Sequence, residues 1–128
     1  MATEILINDG GAPARILPFM ANADISAGEV VKASSTAGRC DLATIATAPV
    51  LGVSLTDAAS GSVCNVISGR GIIVNIYCMD EAAGVNLMVD GTAGQLDEWS
   101  ASPLSNQVVA CTLEDNSGDS VLTKCMLF

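Results

Sequence analysis

Histidine is missing from this chain, and cations are scarce: Lys and Arg number 5 against 14 Asp and Glu, for a formal charge of −9. Without histidine the commonest general base is gone, and so are the zinc patterns that combine it with closely spaced cysteines. Gripping phosphates needs a basic footprint, so the charge balance disfavours nucleic acid and anionic membrane surfaces as partners. Aromatics are also few, with 1 Trp, 1 Tyr and 2 Phe. The core must therefore be built from Val, Ile, Leu, Ala, Met and Cys. No apolar run approaches the length that spans a bilayer, and Met1–Gly10 shows neither a basic region nor the apolar stretch of a secretory leader. These features predict a soluble chain made without a leader.

The residues that carry chemistry do not converge. The 5 cysteines (Cys40, Cys64, Cys78, Cys111 and Cys125) form no CxxC pair and sit in or beside strand-like runs. They read as buried free thiols acting as small hydrophobes, with a disulfide as the alternative. Arg39 precedes Cys40 and Lys124 precedes Cys125, which is thin support for an activated nucleophile. Asp80-Glu81 and Asp97-Glu98 are adjacent acids, but neighbours on a strand point to opposite faces, and in a turn they are solvated. Asp24, Asp41, Asp80 and Asp97 lack EF-hand spacing. Gly69-Arg70-Gly71 lacks the rest of a phosphate loop. The expectation is a protein that is not an enzyme and holds no cofactor or metal.

What is present is a series of short β signals. In Val50–Tyr77 three apolar runs, Val50–Leu55, Val63–Ile67 and Ile72–Tyr77, are separated by turn clusters at Thr56–Gly61 and Ser68–Gly71. β-Branched residues stiffen extended backbone, and Gly, Ser and Asp supply turns, so this stretch predicts three consecutive antiparallel strands with a hairpin at Ser68–Gly71. Ile5–Ile7, Glu29–Ala33 and Val121–Phe128 read as further strands. Thr44–Pro49 and Glu98–Asn106 read as loops, the latter with Trp99 and Pro103. No window shows helical periodicity over three turns. Ala14–Met20 contains Pro18, which cannot donate to a sheet ladder, and so reads as an edge strand or a docking arm.

The chain also repeats itself. Asp24–Asp41 aligns without a gap on Asp80–Asp97 at an offset of 56, with identities at Asp24/Asp80, Ala27/Ala83, Gly28/Gly84, Thr36/Thr92, Ala37/Ala93, Gly38/Gly94 and Asp41/Asp97. A weaker match follows at an offset of 58, through Leu55/Leu113, Asp57/Asp115, Ser62/Ser120 and Val63/Val121. Length suits one domain. The sequence therefore predicts an N-terminal strand or arm over residues 1–20. Residues 21–128 are expected to form a single compact all-β domain, a sandwich or barrel of short antiparallel strands, duplicated over about 24–67 and 80–125.

Three stretches, Ala27-Gly28-Glu29-Val30-Val31, Gly52-Val53-Ser54-Leu55-Thr56-Asp57-Ala58-Ala59 and Gly69-Arg70-Gly71, resemble the capsid cement, or head decoration, proteins of tailed bacteriophages. The resemblance covers most of residues 20–95 and fades over Glu98–Phe128. It implies a β-rich virion protein, made in the bacterial host cytoplasm and placed on the outer surface of the head. There it would bind the major capsid protein and cement its subunits, as a homo-oligomer, often a trimer, with a dimer as the other option. The expected capsid or subunit contacts are Arg15, Ile16, Leu17, Pro18 and Phe19 on the first arm, and Met126, Leu127 and Phe128 at the apolar end. The rival reading is a non-catalytic β binding module for glycans or adhesion, which a single Trp and a single Tyr equip poorly.

Overall fold

The computed structural model describes residues 5–8, 14–44, 50–89, 92–98 and 108–128. Pro13, Trp99, Pro103 and most of the loops expected at 44–49 and 98–106 lie outside the described residues. Among the described residues eleven strands follow in order: β1 (Leu6–Asn8), β2 (Arg15–Ala21), β3 (Val30–Ala33), β4 (Arg39–Leu42), β5 (Val50–Ser54), β6 (Val63–Ser68), β7 (Ile73–Cys78), β8 (Asn86–Val89), β9 (Leu96–Glu98), β10 (Ala110–Thr112) and β11 (Val121–Leu127). The described residues contain no helix.

The strands close two five-stranded barrels. The first runs β2-β4-β3-β5-β6, and the second runs β7-β11-β10-β8-β9, with β9 returning to β7 and β1 added at the edge of β7. Every pairing of the first barrel recurs in the second. β2 runs parallel to β4 as β7 does to β9. The antiparallel pairs β2–β6, β3–β4, β3–β5 and β5–β6 are matched by β7–β11, β8–β9, β8–β10 and β10–β11. The duplicated all-β fold expected from the sequence is what forms, as two barrels. The parallel pair in each is a departure from an all-antiparallel reading, and it arises because each barrel closes by joining its first strand to its third.

Register refines the repeat. Val31↔Leu42 matches Leu87↔Glu98 at an offset of 56. Ser54↔Val66 matches Thr112↔Cys125, so the last strand is offset by 59 and one extra residue precedes β11. Val63 therefore corresponds to Leu122, and the sequence coincidence of Val63 with Val121 is out of register. The repeat also begins earlier than residues 24 and 80, because β2 and β7 belong to it. Ser68–Gly71 is a crossover between barrels rather than a hairpin: β2 and β5 already occupy both edges of β6, so β7 starts a new barrel.

Alternation decides what each face does. Ala21, Ile25, Val31, Cys40, Ala58, Cys64 and Val66 fill the first barrel. A larger cluster fills the second with Val74, Ile76, Cys78, Leu87, Leu96 and Cys125, and extends to Val30, Val53 and Ile67 on the outside of the first. Those three would face water in a lone barrel, and each is fully buried here. All five cysteines are free, with Cys111 half-buried and the rest buried. Burial, then the neighbouring Cys64, push the Cys40 thiol up to about 12. The Cys78 and Cys125 sulfurs lie 3.8 Å apart.

Candidate interaction surface

The Pro-containing run expected as an edge strand or arm is a stave of the first barrel. β2 pairs with β6 from Arg15↔Ser68 to Met20↔Val63, so a boundary at residue 20 cuts through a strand. β4 reaches β2 only at Met20 and Ala21. The Met20 N–H donates to the Gly38 carbonyl at 3.1 Å on that side. The Pro18 nitrogen, two residues earlier, faces the same way, past the end of β4, where no donor is needed.

Alternation splits the expected contact residues. Ile16 and Pro18 lie outward and exposed, with Met20 continuing the row and Val63, 58% exposed, beside it on β6. Arg15, Leu17 and Phe19 alternate to the other side, where Phe19 is half-buried against the first barrel's core. At the other end of the chain Met126 is half-buried, Leu127 is buried and Phe128 is 54% exposed. The two groups approach each other through Ser68. It is the β-pair partner of Arg15, and it lines a shallow cleft with Val50, Gly69, Val109, Leu127 and Phe128.

A joint holds the barrels together. The Tyr77 N–H donates to the Gly28 carbonyl at 2.9 Å, the Val30 N–H to the Gly94 carbonyl at 2.8 Å, and the Gly94 N–H to the Ala43 carbonyl at 2.8 Å. Gly28 is closely packed: a Cβ there would lie 2.5 Å from Leu122 Cδ2. The Ala27-Gly28 turn is held by Asp57, which accepts the Ala27 N–H at 2.8 Å, and the second barrel repeats this with Asp115 and Ala83 at 2.7 Å.

One titratable group was missed by sequence reasoning. Glu81 is only 4% exposed, accepts the Glu98 N–H at 2.9 Å and meets Asp97. Burial first, then the hydrogen bond shared with Asp97, push its pKa up to about 7. The two adjacent acid pairs thus do meet, through one member of each. The signal lay in the repeat, which aligns Glu81 with the apolar Ile25. A carboxyl this enclosed offers no open site to a substrate. Among the described residues no three of Cys, Asp and Glu gather as a metal site.

No family model matches the chain, and no curated protein matches it by sequence. Solved structures that share its fold include two from phage heads. The head fiber gp8.5 N base of bacteriophage phi29 superposes with a TM-score of 0.68 at 15% identity, over 91% of this chain and 95% of that one. A chain of the capsid of Myoviridae phage XM1 superposes with a TM-score of 0.63 at 17% identity, over 98% of this chain and 91% of that one. The two-barrel fold is therefore one that phage head proteins use.

Proposed function

We propose that this chain is a structural protein of a tailed-phage virion, bound to the outer surface of the head, where it cements major capsid protein subunits as a homo-oligomer. The observation that carries this reading is the extent of the fold match. Two head-associated chains match across more than nine-tenths of their own length, so the tandem of barrels is shared and not merely one barrel. The sequence resemblance to decoration proteins supports the same reading from different data. Binding an assembled shell, and not its free subunits, stabilises the shell by mass action.

In this reading the end of the molecule carrying Arg15 and Phe128 meets the capsid, since Arg15, one of the few cations, is the strand partner of Ser68, which lines the cleft together with the exposed Phe128. The test is co-sedimentation of the purified protein with undecorated shells. Saturation at a fixed ratio is expected, with Phe128→Asp weakening binding by roughly 30-fold, as loss of an apolar anchor does. A wild-type protein that stays in the supernatant at all concentrations would sink the proposal.

A further inference from the structure

The joint between the barrels has two unlike halves, and the repeat places a second copy of each half on the surface. The first barrel brings the Ala27-Gly28 turn, Val30, Val53 and Leu55. The second brings the turn ending at Gly94, with Tyr77 and Leu122. By strand register the first barrel also carries the counterparts of Gly94, Tyr77 and Leu122, namely Gly38, Met20 and Val63. The second barrel likewise carries counterparts of Gly28, Val53 and Leu55, namely Gly84, Cys111 and Leu113.

These second copies are open. A Cβ at Gly94 would lie 2.7 Å from Glu29 Oε2 and 3.0 Å from Leu42 Cδ2, yet at Gly38 no atom of the described residues lies within 4 Å. Gly28 is packed against Leu122, whereas Gly84 again has no atom of the described residues within 4 Å. Leu55 packs on the core, while Leu113 is 41% exposed; Met20 and Val63 are likewise exposed where Tyr77 and Leu122 are half-buried. Charge differs in a complementary way. The counterpart of Leu42, which touches Gly94, is the exposed Glu98, and Gly38 is followed by Arg39 where Gly94 is followed by Gln95. The backbone differs too. In the occupied joint the Tyr77 N–H and the Gly94 carbonyl both reach across to the other barrel, whereas on the open face the Met20 N–H and the Gly38 carbonyl bond to each other at 3.1 Å.

We propose that a second copy of this chain occupies these faces. The first-barrel face of one copy (Met20, Val63 and the Gly38 turn) docks on the second-barrel face of the next (the Ala83-Gly84 turn, Cys111 and Leu113), continuing the joint already made within the chain. The inference rests on the homo-oligomeric part of the proposed function and names its interface. The contact is heterologous, so each copy keeps one face of each kind in use, and the series closes into a ring when the rotation between copies allows. Docking opens the Met20–Gly38 bond and offers both groups to the neighbour, and it sets Arg39 toward Glu98.

The test is sedimentation of the wild-type chain, of Val63→Glu, of Leu113→Glu and of an equimolar mixture of the two variants. Both substituted residues are exposed, so the variants keep their fold, which circular dichroism checks. Wild type is expected as an oligomer and each variant as a monomer, with self-association weakened at least roughly 30-fold. The mixture is expected as a one-to-one dimer, because each variant retains the face the other needs. An oligomer that both variants leave unchanged overturns this interface while keeping homo-oligomerisation. Monomeric variants that stay monomeric when mixed overturn the heterologous geometry. A wild type that is monomeric both free and on shells overturns the oligomeric reading itself.

Discussion

Glu81 stands where the first barrel has Ile25, and the exchange reorganises its surroundings. Ile25 and Ala58 trade backbone hydrogen bonds at 2.8 Å; their counterparts Glu81 and Asn116 keep one, at 2.9 Å, and Asn116 adds side-chain bonds to Thr123 and to the Met79 carbonyl, each at 2.7 Å. An apolar plug in one barrel is a polar one in the other. The carboxyl's ordinary value of 4.5 is raised to about 7, so the folded protein holds a proton that the unfolded chain has released between those values. Its stabilising contribution is complete below the unfolded value and is lost as pH rises through the folded one. The shift corresponds to about 3 kcal/mol by the usual conversion. Glu81→Gln keeps a neutral, hydrogen-bonding side chain. Urea titrations are therefore expected to show the variant gaining on wild type between about pH 4.5 and about pH 7. A stability difference that stays flat with pH would refute this account. In the sequence Glu81 looked like half of a solvated acid pair, since only the partner barrel reveals that its position is an interior one.

At the scale of elements, the identities that made the repeat legible have local causes. Asp57 and Asp115 each cap an Ala-Gly turn, and Gly28 and Gly84 both adopt positive φ, at 91° and 78°. Turn chemistry leaves little choice of residue, so it survives as matching letters. Strand pairing does not work that way. Arg15-Ile16-Leu17-Pro18-Phe19-Met20-Ala21 and Ile73-Val74-Asn75-Ile76-Tyr77-Cys78 occupy equivalent staves, yet any apolar alternation satisfies a stave, and the lone identity, Ile16 with Ile73, is too little to betray the equivalence. The hairpin expected at Ser68–Gly71 failed for a related reason: glycines announce a change of direction but not which strand comes next. The paired turns provide their own comparison. Alanine at either Gly28 or Gly84 meets the left-handed penalty of roughly 1–2 kcal/mol. At Gly28 it must also displace Leu122 Cδ2, only 2.5 Å away, which adds overpacking of roughly 1–3 kcal/mol. Gly28→Ala is thus expected to lower the thermal midpoint clearly more than Gly84→Ala, and equal losses would show that the joint gives way freely.

The whole molecule behaves as one unit because its two barrels share apolar surface. The first barrel's interior is a small cluster, while its outward Val30, Val53 and Ile67 belong to the core that fills the second. Leaving three such side chains in water costs roughly 1.5–3 kcal/mol each. That sum rivals the roughly 5–15 kcal/mol by which an ordinary domain is stable. A chain of about 60 residues buries only about 60% of its surface and has little margin to lose. A fragment of residues 14–71 is accordingly expected to remain unfolded, with a collapsed amide spectrum, although it contains every strand of a closed barrel. The intact chain is expected to unfold in one transition, with far-ultraviolet dichroism and Tyr77 fluorescence changing together. Two separated transitions, or a well-dispersed spectrum from the fragment, would mean that the barrels are independent and that the joint is only a contact. A joint that is part of the core fixes one barrel relative to the other, so the two barrels move and unfold as one rigid body.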